Sequence, residues 1–291
     1  MRTPILILSA LLLFGGQSRG QSRKVYQGFD RNEYPGDASL PALRRSFEYT
    51  SYWLNNPPGA VQNSWVEKRA LLKRHGFGFL VLFTGRLDAE LRKGDPTKLG
   101  AMDGKAAVAA AAREGFQPNV VIFLDQEEGG RLLPEQVAYV FAWIDTVRVG
   151  GARAGIYCSG IDVPEGSSTI STARDIVARE QARTPTGHKQ ALALWVANDQ
   201  CPPSPGCTKT IQHPSRGFTS PTSSKPVVWQ YAQSPRRSQF SSGCPKNDDA
   251  DGNCYAPGLP HTTATFLDLN VSDSPDPSEA PGRRLRRRPS R

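Results

Sequence analysis

The run Val120-Val121-Ile122-Phe123-Leu124 limits most sharply what this chain can fold into. Five apolar residues with no polar break read as a strand covered on both faces, the pattern of parallel sheets flanked by helices. Seven more short apolar runs are spaced along the chain at 25–29, 49–54, 77–83, 154–158, 191–197, 227–231 and 265–269. Helical patterns lie between them at 64–75, 105–114, 134–149 and 171–182. Ser64 with Glu67 has capping-box spacing, Pro134 suits a first turn, and Val137, Val140, Phe141 and Ile144 form one stripe. Eight strands alternating with helices over about 250 residues predict one α/β domain, a TIM-type (β/α)8 barrel. The segments after the sixth and seventh strands are rich in Pro and Ser, so the barrel is expected to be irregular over its last quarter.

The ends read differently from the body. Met1 and Arg2 precede an apolar run from Ile5 to Phe14, and Ser18 and Gly20 supply a small-x-small cleavage pattern. That run is too short for the roughly 20 residues of a membrane-spanning helix, so residues 1–20 are expected to be a signal peptide. The expected location is outside the cytoplasm: secreted, periplasmic or at the cell envelope. The chain carries a net charge of +9, but Arg283, Arg284, Arg286, Arg287, Arg288 and Arg291 crowd its extreme C-terminus. Without them and the signal the domain is close to neutral, which argues against a nucleic-acid partner. Residues 273–291 are expected to be a disordered, Arg-rich tail able to contact an anionic envelope.

Five cysteines suit an oxidising compartment. Local pairing, Cys201 with Cys207 and Cys244 with Cys254, is the simplest connectivity, and Cys158 in an apolar run reads as a buried free thiol. The four histidines lack paired ligand spacing and no CxxC occurs, so neither metal nor cofactor is expected. Residues 247–253 open like a calcium loop but lack its closing Glu, and a Cys-closed turn accounts for them.

The chemistry concentrates in Asp125-Gln126-Glu127, at the end of the most apolar strand. Residues two apart on a strand face the same way, about 6.6 Å between Cα atoms, so Asp125 and Glu127 converge while Glu128 faces away. Two close carboxylates in a partly apolar rim split their pKa values, leaving one protonated acid and one anion, which is what glycosidic cleavage requires. Asp30 ends the first strand, and Asp268 and Asn270 end the last, which neighbours the first in a closed barrel. Tyr157, Trp195, Trp229 and Tyr231 are candidate stacking surfaces for sugar rings.

In order, Gly28-Phe29-Asp30, Asp125-Gln126-Glu127, Gly155-Ile156-Tyr157, Leu194-Trp195-Val196-Ala197, Trp229-Gln230-Tyr231 and Asp268-Leu269-Asn270 resemble the strand-end motifs of family 25 glycoside hydrolases, the lysozyme-type muramidases. Ser64-Trp65-Val66 and Leu82-Phe83-Thr84-Gly85-Arg86 are closer to a sister group, the secreted bacterial glycoside-hydrolase-like domains of the mycobacterial exported-protein type. The likeness runs over residues 25–271 and implies a glycoside-hydrolase-like barrel at 24–272. It implies Glu127 as proton donor, Asp125 as the partner that positions the substrate's N-acetyl group, and Asp30 and Asp268 as flanking acids. Trp229 and Tyr231 would lie near the sugar. The expected function is a monomeric, secreted hydrolase of peptidoglycan or a related cell-wall polysaccharide. The alternative is a non-catalytic glycan-binding or envelope-associated barrel.

Overall fold

The structure is a computed structural model that describes residues 24–183, 192–208 and 227–279. The expected signal peptide and the arginines of the tail lie outside the described residues. Eight strands close a barrel: β1 (Tyr26–Asp30), β2 (Tyr49–Trp53), β3 (Gly78–Thr84), β4 (Val121–Gln126), β5 (Arg153–Ser159), β8 (Ala193–Ala197), β9 (Val227–Ala232) and β10 (Asp268–Ser272). A small hairpin, β6 (Val163–Glu165) and β7 (Ser168–Ile170), hangs between β5 and the helix that follows. Around the barrel run α1 (Leu40–Arg44), α2 (Arg69–Arg74), α3 (Asp88–Leu91), α4 (Pro96–Arg113), α5 (Pro134–Val149) and α6 (Thr172–Arg183).

This is the expected TIM-type architecture with one departure. Neighbouring barrel strands from β1 round to β9 pair in parallel, but β10 runs antiparallel to both β9 and β1. Asp268 therefore opens its strand instead of closing it. Reversal leaves it at the same mouth as the C-terminal ends of the other strands, opposite Asp30 in the register. The final quarter is irregular as anticipated: between β9 and β10 the described chain forms only a 3-10 turn at His261–Thr263.

Local chemistry accounts for the helices. α5 has the expected bounds, with Val140, Phe141 and Ile144 buried. α4 begins nine residues before the expected start, at Pro96, where Asp95 accepts the Thr97 and Lys98 amides. Gly100 and Gly104 look like helix breakers in sequence, yet they let α5 approach: a Cβ on Gly100 would lie 2.3 Å from the Tyr139 carbonyl. α2 is shorter than expected. Ser64 does not cap it but accepts the Tyr34 amide, and Glu67 has φ 65°, which ends the pattern before Arg69.

Two expectations about the surface are corrected. The cysteines pair across loops, Cys201 with Cys244 and Cys207 with Cys254, because the two Cys-bearing loops lie against each other; Asn247 bridges to Cys207 N and Pro205 O. Cys158 is a buried free thiol, as expected. The chain beyond Ser272 is not disordered over its described part. Residues 273–279 form a strap across the closed end of the barrel, where Ser278 is fully buried. Its main chain bonds Phe79 O and Val121 N, its hydroxyl accepts Val81 N, and Asp276 accepts Phe79 N. Glu279 pairs with Arg69 and Lys73. The segment carries no large apolar side chain but satisfies strand-end amides that would otherwise be orphaned.

Candidate active site

Alternation along the strands decides which side chains enter the barrel. On the register Asp125↔Tyr157↔Trp195 and Ala197↔Gln230↔Asn270, these residues share the inner face with Asp30 and Asp268. Gln230 is the hub. Its amide donates to Asp30 Oδ1 at 3.0 Å and to Asp268 Oδ2 at 3.3 Å, and its carbonyl accepts the Tyr157 hydroxyl at 2.8 Å. Asn270 adds a 2.6 Å bond to Asp30 Oδ1, and Ser234 N donates to Asp268 Oδ1 at 2.7 Å. Gln233 donates to Gln230 and, at 3.4 Å, to the Tyr157 hydroxyl.

The acids are driven toward their neutral forms. Burial lifts Asp30 to about 6 against the pull of the Asn270 and Gln230 bonds. Asp125 is held well above the carboxylate range by burial, then by the charges of Glu127 and Asp30. Burial also raises Asp268, helped by Asp30 and opposed by the Ser234 amide. Glu127 lies one residue beyond β4 and is exposed at the mouth, yet desolvation by the surrounding protein still holds its carboxyl above the usual value. Tyr157 is raised by burial and by all four acids, Asp30, Asp125, Asp268 and Glu127, so its hydroxyl lies among them. Asp125 Oδ1 is buried with no hydrogen-bond partner. Glu128 points elsewhere, accepting Asp88 N and the Gln136 amide.

The aromatic candidates divide. Tyr157 is half-buried at the site. Trp195 is inside the barrel but fully buried beneath it, with Nε1 donating to Asn270 Oδ1 at 2.8 Å and its ring 4.6 Å from that of Tyr157. Trp229 and Tyr231 do not face the mouth. They alternate with Gln230 and so lie on the outer face, where Trp229 Nε1 bonds Asn198 O and the Tyr231 hydroxyl bonds Gln27. Strand parity places Gln230, between the two aromatics, on the inner face in their stead, which its residue type alone does not signal. Asp199 and Arg237 form an ion pair on the loops after β8 and β9 that no sequence motif marks. The acidic loop at 247–253 is engaged by protein groups: Asp248 by Arg236, and Asp251 by Asn253 and Tyr255.

A family model for the Rv2525c-like glycoside hydrolase-like domain matches residues 49–251. This chain belongs to that family. The Rv2525c-like match includes Asp125, Glu127 and Tyr157, while Asp30, Asp268 and Asn270 lie outside it and join the site through the barrel closure. Among solved structures, an uncharacterised protein of B. stearothermophilus is 18% identical with a TM-score of 0.55, covering 84% of this chain and 94% of its own. The Tat-secreted protein Rv2525c of Mycobacterium tuberculosis is 10% identical, TM-score 0.45, covering 89% and 98%. The Clostridium perfringens spore cortex lytic enzyme SleM is 14% identical, TM-score 0.49, covering 86% of this chain and 68% of SleM. No curated protein matches the sequence.

Proposed function

We propose that this chain is an extracytoplasmic, monomeric glycoside hydrolase that cleaves peptidoglycan or a related cell-wall polysaccharide, with Glu127 as its acid. The observation that carries this reading is the gathering of Asp30, Asp125, Glu127 and Asp268 around Tyr157 at one barrel mouth, with only Glu127 exposed. An exposed carboxyl of raised pKa is a proton donor for a leaving glycosidic oxygen. Asp125, with a buried and unpartnered Oδ1, is placed to accept the N–H of a 2-acetamido group. That contact would steer the acetamido carbonyl oxygen onto the anomeric carbon as the bond to the leaving oxygen breaks. Glu127 gives its proton to the leaving oxygen, then takes one from the water that opens the ring so formed. Buried Gln230 and Asn270 hold Asp30, and Gln230 with Ser234 holds Asp268, so these acids shape the pocket.

Cross-loop disulfides support an oxidising compartment. A non-catalytic glycan-binding barrel is the weaker reading, because burial of Trp195, Trp229 and Tyr231 removes the stacking platform such a role would use. The Arg-rich tail would add affinity for an anionic envelope without taking part in the chemistry.

The deciding experiment compares wild type and Glu127→Gln for reducing-end release from purified peptidoglycan and chitin-type oligosaccharides. We expect cleavage by wild type and a loss of at least about a hundredfold in Glu127→Gln. Equal rates in the two proteins, or binding of glycan with no cleavage by either, would remove Glu127 as the acid.

A further inference from the structure

The loops after β8 and β9 carry an ion pair that the acid cluster does not use. Asp199, buried just past the end of β8, accepts Arg237 Nε at 3.1 Å and Nη2 as well. The guanidinium lies 4.8 Å from the centroid of the Phe240 ring. The Cys201–Cys244 disulfide and a Cys201 N to Phe240 O bond lock these loops together. Both sides are also tied to the site: Asn198 N donates to Gln230 O at 2.9 Å, and Ser234, three residues before Arg237, holds Asp268. In keeping with that placement, Arg237 and Asp199 both act on the Asp268 carboxyl, the first lowering and the second raising its pKa.

Asp199 occupies only the Nε–Nη2 side of the guanidinium. Arg237 Nη1 makes no hydrogen bond among the described residues, and the side chain is 32% exposed. The Nη1–Nη2 edge thus presents parallel N–H groups, in a geometry that matches a carboxylate and is fixed in advance by Asp199 and Phe240. The mouth does not repel such a ligand as strongly as four acids suggest, because burial favours the neutral forms of Asp30, Asp125 and Asp268.

We propose that Arg237 sets the ligand class of this site by taking a carboxylate of the glycan on its free edge, with Asp199 as its positioning residue. The proposal rests on the glycan reading of the site, and the test separates the two. Isothermal titration of the whole chain compares a peptide-stripped peptidoglycan tetrasaccharide, whose lactyl groups are free carboxylates, with neutral chitotetraose. Wild type should bind the acidic ligand at least about tenfold more tightly. Arg237→Gln should erase that preference while changing chitotetraose affinity by less than about twofold, and Arg237→Lys should restore part of it. Equal wild-type affinities overturn the proposal. So does an equal loss for both ligands with a lowered Tm, which would make Arg237 a loop clamp. If neither oligosaccharide binds, titration with D-glucuronate decides. Binding to wild type but not to Arg237→Gln keeps Arg237 as a carboxylate site and removes the glycan reading; no binding removes both.

Discussion

At the residue scale the site depends on amides more than on acids. Gln230 and Asn270 supply the donors that keep Asp30 in a buried position a lone carboxylate would not tolerate, and even so its pKa rises from 3.8 to about 6. A carboxyl that binds its proton more tightly when folded favours folding at low pH and loses that advantage as pH climbs from about 4 through 6. The expected cost above pH 6 is on the order of 3 kcal/mol. Melting curves should therefore show wild type losing stability between pH 4 and 6.5, and Asp30→Asn losing distinctly less. Parallel slopes would mean that Asp30 keeps an ordinary pKa. Asp125 and Glu127 are legible in sequence because they stand at and just past the end of an unmistakable strand. Gln230 was not, because a glutamine between two aromatics announces nothing until the strand's parity is known.

Among the elements, strands were easier to anticipate than their ends or directions. Runs such as Val121–Gln126 show their burial on both faces, whereas the direction of β10 depends on what precedes it, a long loop without helical pattern. Asp268 and Asn270 were thus assigned to the right mouth although β10 runs the other way. The strap at 273–279 was invisible for a related reason: its contribution is polar, made through Ser278, Asp276 and backbone amides instead of apolar area. Gly78 makes room for it, since a Cβ there would lie 2.1 Å from the Pro275 carbonyl. Deleting residues 275–291 should cost at least about 4 kcal/mol, at roughly 1 kcal/mol for each of the four hydrogen bonds to β3 and β4, or about 10 °C in Tm. Deleting 280–291 alone is the control, and the strap's share is the difference between the two Tm values. Gly78→Ala should mimic the longer deletion and add little to it; independent, additive losses would mean that the strap does not rest on Gly78.

For the molecule as a whole, covalent cross-links stiffen the side of the mouth where the described residues form no α-helix. The two disulfides join positions 43 and 47 residues apart, and loops of that size are worth about 2–4 kcal/mol each. Cys158 stays outside this chemistry, since burial pushes its thiol up to about 12. Alkylation at pH 8 should therefore leave the native protein unlabelled and mark one thiol after unreduced denaturation. Peptide mapping should then find Cys201 linked to Cys244 and Cys207 linked to Cys254; local pairs would contradict the loop packing described above. The reversed last strand has one more effect. Entering at the mouth, β10 delivers the chain to the closed end, the side from which β1 also starts, so Lys24 and Glu279 both leave from the back of the barrel. A tether at either position would hold the protein from behind and leave its acid-lined mouth facing outward, and lengthening that tether would extend its reach without narrowing the approach of a bulky ligand.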